Sequence, residues 1–126
     1  MRWVIIPLLA LAACTPEQVT RAPIAPAYDG VVTRLLDGDL VNFMVAVRGA
    51  ETPAVVEQYA KCAAAQYTLI RGYSFARQVR TTVDQQGGVW TADAVYTISA
   101  DLPRGTRTID AEVVVADCAT NGIPTV

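Results

Sequence analysis

The chain has 126 residues, of which 52% are hydrophobic and 17% are charged, and its formal net charge is −2. This length and apolar content predict one folded domain with a core of its own. The slight acidic balance offers no basic surface for nucleic acid, and the absence of histidine removes the commonest general base and the commonest metal ligand.

The first residues have the pattern of an export signal. Met1-Arg2-Trp3 gives a short positive start, and Val4 to Ala13 (VIIPLLALAA) gives an apolar run that ends in small residues. A helix over this run reaches only ~15 Å, about half of the hydrocarbon thickness of a bilayer, and Pro7 would interrupt it. We therefore predict a cleaved signal peptide over residues 1–13 rather than a membrane-spanning helix.

Leu11-Ala12-Ala13-Cys14 closes this segment and resembles the lipobox of bacterial lipoproteins. The resemblance implies that Cys14 carries a diacylglyceryl group on its sulfur, that a dedicated signal peptidase cuts before it, and that its new amine is acylated. Two or three acyl chains then anchor the protein to the bilayer. The alternative is an ordinary secretory peptide with a cysteine near its cleavage site.

Thr15, rather than aspartate, follows the cysteine. This resembles the outer-membrane sorting signal of enterobacterial lipoproteins, so we expect an anchor in the outer membrane of a Gram-negative bacterium, facing the periplasm. The alternative is the periplasmic face of the inner membrane.

Residues 14–27 hold three prolines without periodicity and predict an extended tether. A globular domain is expected over 28–120, with an irregular tail over 121–126.

Three cysteines would leave one odd thiol in an exported protein. If Cys14 is acylated, Cys62 and Cys118 remain as a pair in an oxidising periplasm, and we expect a disulfide between them. Such a bond would close a span of 118 − 62 = 56 residues and contribute about 4 kcal/mol in the chain-entropy model. The alternative is two buried free thiols.

The elements of the domain are predicted in the order ββαβββ. Asp37-Gly38 lies between two strand-like runs and indicates a hairpin. Thr52 and Pro53 suit a helix start, and Gly72 suits its end. The helix face is predicted to hold Val56, Ala60, Ala63, Tyr67 and Ile70.

Three more strands are predicted after the helix, in SFARQVRTTVD (74–84), VWTADAVYTISA (89–100) and RTIDAEVVVADC (107–118). Alternation in the last strand sets Ile109, Ala111, Val113 and Val115 on one face. The fold class is therefore α+β: a single helix packed in two layers on a mostly antiparallel sheet of four to five strands, whose other face is largely polar.

A set of short motifs runs through residues 28–80: Tyr28-x-Gly30, Thr33-Arg34-Leu35, Arg48-Gly49, Thr52-Pro53, Val56-Glu57-x-Tyr59, Ala63-Ala64, Thr68-Leu69 and Gly72-Tyr73. Their order is similar to that in a family of small uncharacterised proteobacterial lipoproteins, although Gly72-Tyr73-Ser74-Phe75 is one residue tighter than the family's Gly-Tyr-x-x-Phe. This second, weaker resemblance implies a common strand–helix–strand unit and no activity.

Two clusters are candidates for chemistry. Asp110 and Glu112 would share a strand face at a carboxylate spacing that glycosidases use, but a solvated charged face is the favoured interpretation. Arg71, Tyr73 and Arg77 surround the helix end and the next strand, where they could form a patch that binds a partner protein or an anionic polymer. Structural capping of the helix is the alternative.

The sequence thus predicts a non-enzymatic envelope lipoprotein whose domain is a binding or assembly module. Its expected partners are the bilayer, through acylated Cys14, and an envelope protein or anionic polymer; no nucleic acid, metal or cofactor is expected. One alternative is a small-ligand carrier with a pocket between helix and sheet. Only small residues such as Ala60, Ala63 and Ala64 would leave space there, and close packing is the favoured interpretation of these residues. The other is an enzyme of unknown type, which the lack of histidine and of a catalytic motif disfavours.

Overall fold

The computed structural model describes Cys14 and residues 25–125. The predicted signal peptide and most of the predicted tether lie outside the described residues. Two helices and one five-stranded sheet make up the described domain. Their bounds are β1 (Ala27–Leu35), β2 (Leu40–Arg48), α1 (Pro53–Ile70), β3 (Phe75–Gln86), β4 (Val89–Ser99), β5 (Thr108–Asp110) and α2 (Ala111–Thr120).

The sheet has the strand order β1-β2-β4-β3-β5, and every neighbouring pair is antiparallel. The α+β class is confirmed. Helix α1 connects β2 to β3 and packs on β2, β4 and β3, so it covers one face of the sheet. The hairpin predicted at Asp37-Gly38 is present, and a second hairpin joins β3 to β4. Gly38 and Gly87 have φ of 64° and 59°, which the tight turns after β1 and β3 require.

The main core lies between α1 and the sheet. From β2, Val41, Phe43, Val45 and Val47 are at most 3% exposed, as their alternation predicts. Phe43 is the largest fully buried side chain and lies edge-on to the rings of Tyr67 and Tyr96, at centroid distances of 5.7 and 6.1 Å. Small side chains let α1 approach the sheet closely, since Ala60, Ala63 and Ala64 are at most 1% exposed.

Both ends of α1 follow the sequence signals. Thr52 has the extended backbone of an N-cap, although its side chain makes no capping hydrogen bond, and Pro53 is the first helical residue. At the other end Gly72 has φ of 78°, and its N–H donates to the carbonyl of Leu69. The predicted apolar face is buried at its start, whereas Ile70 at its end is 61% exposed.

The prediction of a single helix and a long fifth strand was wrong. The strand stops at Asp110, whose side chain accepts hydrogen bonds from the N–H groups of Glu112 and Val113 at 3.1 and 3.4 Å and so begins α2. The buried residues of α2 are Ala111, Val114 and Cys118, which have the spacing of a helix face, while Val113 is 57% exposed. The run of valines favours a strand by intrinsic propensity. The cap at Asp110 and the burial of one face against α1 stabilise a helix instead.

Strand β3 contains a bulge at Val79, between the register pairs of Gln78 and Arg80. Strict alternation along β3 would place Phe75, Val79 and Val83 on one face, and the bulge breaks this pattern. Val79 is 43% exposed, and Val83 packs against the main core. On the inward face, Gln78 pairs with Tyr96 and Thr81 pairs with Ala94, so polar side chains of β3 point toward the helix side of the sheet.

The opposite face of the sheet is only partly polar. It carries Val32 and Met44, directly paired across β1 and β2 and 55% and 40% exposed, beside Asn42 and Asp93. Asp93 accepts from the Asn42 amide and forms an ion pair with Arg80 at 3.5 Å. A shallow groove of about 480 Å³ runs over this face.

Candidate functional site

The three cysteines separate into one pair and one free thiol. Cys62 of α1 and Cys118 of α2 form the expected disulfide, and both are fully buried. They lie at the centre of a second small core with Ala65, Ala111 and Val114, which joins the two helices. Cys14 is exposed and is not part of a disulfide.

The predicted patch of Arg71, Tyr73 and Arg77 is divided between two sides of the molecule. Arg71 follows the end of α1, where it donates to the Tyr67 hydroxyl at 2.9 Å and lies 5.8 Å from the centre of that ring. Tyr73 is half-buried against the main core. Arg77 follows the fully buried Ala76 in β3, and it therefore projects from the opposite face of the sheet.

Asp110 and Glu112 do not form the strand pair that their spacing predicts. Asp110 caps α2, and Glu112 is an exposed residue of the first helical turn. A carboxylate at this place stabilises the helix N-terminus, which explains both residues without catalysis. Within residues 25–125, no group of three or more cysteine, aspartate or glutamate residues could hold a metal ion.

A polar cleft of about 430 Å³ opens between α1 and β3. A pocket between helix and sheet was predicted only as an alternative, beside Ala60, Ala63 and Ala64. The observed position depends on the bulge, which places Thr81 on the same inward face as Gln78. The lining residues on α1 follow the i, i+3, i+4, i+7 spacing of one helix face. The cleft is lined by Ala54, Glu57, Gln58 and Lys61 of α1, by Gln78 and Thr81 of β3, by Tyr96 of β4 and by Arg107 of the loop before β5.

The walls of the polar cleft carry charges of both signs that are not paired with one another. Glu57 and Lys61 lie one helical turn apart, and Arg107 faces them from the loop. Among the described residues, ion pairs within 4 Å join Arg48 to Asp29 and Arg80 to Asp93, and neither pair includes a wall residue. The charges of the cleft are therefore available to a ligand.

Tyr96 of β4 lies on the floor of the cleft and is 3% exposed. Burial, and to a smaller degree the charge of Glu57, raise the pKa of Tyr96 to about 12. Beside it, the Gln78 amide donates to the Thr81 hydroxyl at 2.7 Å. The floor is thus polar and uncharged at neutral pH.

The raised pKa of Tyr96 predicts a stability that falls at high pH. The folded state holds the phenolic proton more tightly than the unfolded state, whose tyrosine has a pKa of about 10. The resulting stability is complete below pH ~10 and disappears as the pH rises through ~12. Between pH 9 and 11, we expect the wild type to lose about 1 kcal/mol more unfolding free energy than Tyr96→Phe, measured by urea denaturation. Equal losses in the two proteins would contradict this.

Residues 28–122 match the family model described as the YNQ4 C-terminal domain. An "Uncharacterized 26.9 kDa protein in nqo8 5'region" of Paracoccus denitrificans, a proteobacterium, is 31% identical over 85 residues. The match covers 68% of this chain and 33% of the relative, so the chain corresponds to about one third of that protein. No solved structure matches the chain.

Proposed function

The chain belongs to the YNQ4 C-terminal domain family, and we propose that it is a lipid-anchored periplasmic protein whose family domain binds another component of the envelope without catalysing a reaction. Cys14 would carry the acyl chains and hold the protein at the periplasmic face of the outer membrane. The domain would then be presented to the periplasm on the segment that precedes β1.

The observation that carries this proposal is the division of the three cysteines. Cys62 and Cys118 are used by the fold, whereas Cys14 is free, exposed and preceded by Leu11-Ala12-Ala13. Disulfides persist in oxidising compartments such as the periplasm. A lone reactive thiol is a liability there, and acylation removes it. None of the described helices is long and apolar enough to span a membrane.

Two features support a binding role over catalysis. The chain contains no histidine. Its two serines have no activating base, and the hydroxyl of Ser99 donates to the carbonyl of Asp101 at 2.6 Å. The polar side chains of the polar cleft are suited to hydrogen bonding and ion pairing rather than to nucleophilic attack.

Replacement of the acylated cysteine tests the anchor. In cells that express Cys14→Ala, we expect the protein to leave the membrane fraction and to lose incorporation of labelled palmitate. The matched control is Cys62→Ala/Cys118→Ala, which removes the disulfide but keeps Cys14 and should stay in the membrane fraction. Membrane association and labelling that are unchanged in Cys14→Ala would overturn the proposal.

In-cell crosslinking of the wild type should capture an envelope protein through the domain.

A second candidate function is that of a small-ligand carrier. The space does not lie at Ala60, Ala63 and Ala64, which are packed against the sheet. It lies on the β3 side, where the polar cleft has the volume of a small-molecule site. Native mass spectrometry of the purified protein should show added mass if a ligand is retained, and the Tyr96→Phe variant should reduce that added mass.

A further inference from the structure

We propose that the polar cleft is a binding site for a short zwitterionic peptide, of dipeptide size, that carries a free ammonium group and a free carboxylate. Glu57 would bind the ammonium group, and Lys61 with Arg107 would bind the carboxylate. The inference rests on the second candidate function, the small-ligand carrier, and names its ligand class; it does not depend on lipidation of Cys14.

The charges of the cleft match such a ligand in sign. Two cations and one anion line the walls, and none of the three is in an ion pair with another residue between 25 and 125. A simple anion bound in the cleft would be repelled by the Glu57 carboxylate. A zwitterion instead offers an ammonium group to Glu57 and a carboxylate to the two cations. Arg107 also has the planar fork that recognises carboxylates with two parallel hydrogen bonds.

The spacing of the charges matches as well. Glu57 and Lys61 are four residues apart on α1, which separates their Cα atoms by ~6 Å along the helix axis. An extended dipeptide spans at most ~7 Å. The two ends of a dipeptide could therefore reach both side chains at once. The cleft volume of about 430 Å³ lies within the range of small-molecule sites.

The floor of the cleft offers the partners that a peptide group needs. Tyr96 lines the cleft and is protonated at neutral pH, so its hydroxyl can donate to a peptide carbonyl. The Gln78 amide nitrogen already donates to Thr81, which leaves the Gln78 carbonyl oxygen to accept from a peptide N–H.

Backbone strain lies at the same place. Arg107 is the non-glycine residue with positive φ, at 63°, within residues 25–125, and its carbonyl accepts from the N–H of Gln78 at 3.1 Å. Glycine would adopt this conformation at no steric cost. An arginine held in it, with its side chain lining the cleft, is the kind of strained residue that clusters at ligand sites.

Calorimetric titration of the purified protein with alanyl-alanine tests the inference. We expect saturable binding, and about tenfold or weaker binding of N-acetyl-alanyl-alanine, which lacks the ammonium group, and of alanyl-alanine amide, which lacks the carboxylate. The absence of alanyl-alanine binding, or equal binding of all three compounds, would overturn it. Equal binding of the acetylated compound alone would identify an anion site and overturn the zwitterion assignment.

Variants locate the site. Arg107→Gly should lose about tenfold or more in affinity while the melting temperature stays level or rises, because glycine relieves the strain. Arg104→Gly, in the same loop but outside the cleft, is the matched control and should bind normally. Glu57→Gln, at an exposed helix position, should weaken the binding of alanyl-alanine and leave the affinity for N-acetyl-alanyl-alanine unchanged. Undiminished binding of alanyl-alanine by both Arg107→Gly and Glu57→Gln would overturn the assignment of the site. That result would not bear on the proposed acylation of Cys14.

Discussion

Removal of the disulfide in Cys62→Ala/Cys118→Ala is expected to lower the free energy of unfolding by about 4 kcal/mol. The bond closes a loop with a sequence separation of 56 residues, so its loss gives the unfolded chain more conformational freedom. Both positions are fully buried, and alanine avoids the unpaired hydroxyls that serine would place there. Urea denaturation at equilibrium measures the change.

The structure also predicts which element is destabilised most by removal of the disulfide. Helix α2 is fixed to α1 by a core of only five buried residues, and the two cysteines are its centre. In the double variant, amide hydrogen exchange should therefore accelerate in α2 more than in β2 and β4. Val113→Ala on the exposed side of α2 is the control and should change stability by less than about 0.5 kcal/mol. A loss below ~1 kcal/mol in the double variant would contradict the assigned role.

Phe43→Ala is expected to destabilise the domain by about 3–5 kcal/mol. The ring is fully buried between α1 and the sheet, and it makes edge-on contacts with Tyr67 of α1 and Tyr96 of β4. Its truncation removes apolar contact area, two aromatic pairs and the support of both layers, and it leaves a cavity that the rigid sheet cannot close.

The next residue provides a matched control for Phe43. Met44 lies on the same strand but points to the opposite face, where it is 40% exposed. Met44→Ala should cost less than about 1 kcal/mol in chemical denaturation. Similar losses in the two variants would mean that the core does not lie on the side of the sheet that the structure assigns. Phe43→Leu should fall between them.

Much of the fold could be predicted because local signals agree with the tertiary structure. Alternation in β2 selects the buried face, since side chains of a strand point to opposite sides. Thr52-Pro53 and Gly72 bound α1, because the ends of a helix need a particular backbone geometry. The count of cysteines predicted the Cys62–Cys118 pair, since an odd thiol is unfavourable in an oxidising compartment.

Other features were decided only by long-range contacts. The segment after Asp110 has valines that favour a strand, yet capping and burial against α1 make it a helix. The bulge at Val79 reverses the faces of β3, and a period-2 pattern cannot reveal one extra residue. The polar cleft follows from that bulge, since it brings Gln78 and Thr81 to the side of Tyr96.

The sequence by itself thus determined the class of the fold, the main core and the paired cysteines, because these depend on the periodicity and composition of short segments. Tertiary structure decided the second helix, the separation of Arg71 from Arg77 and the position of the polar cleft. These features depend on which face a residue presents after register shifts, and on pairings between residues distant in the chain. Local propensity carries no information on either.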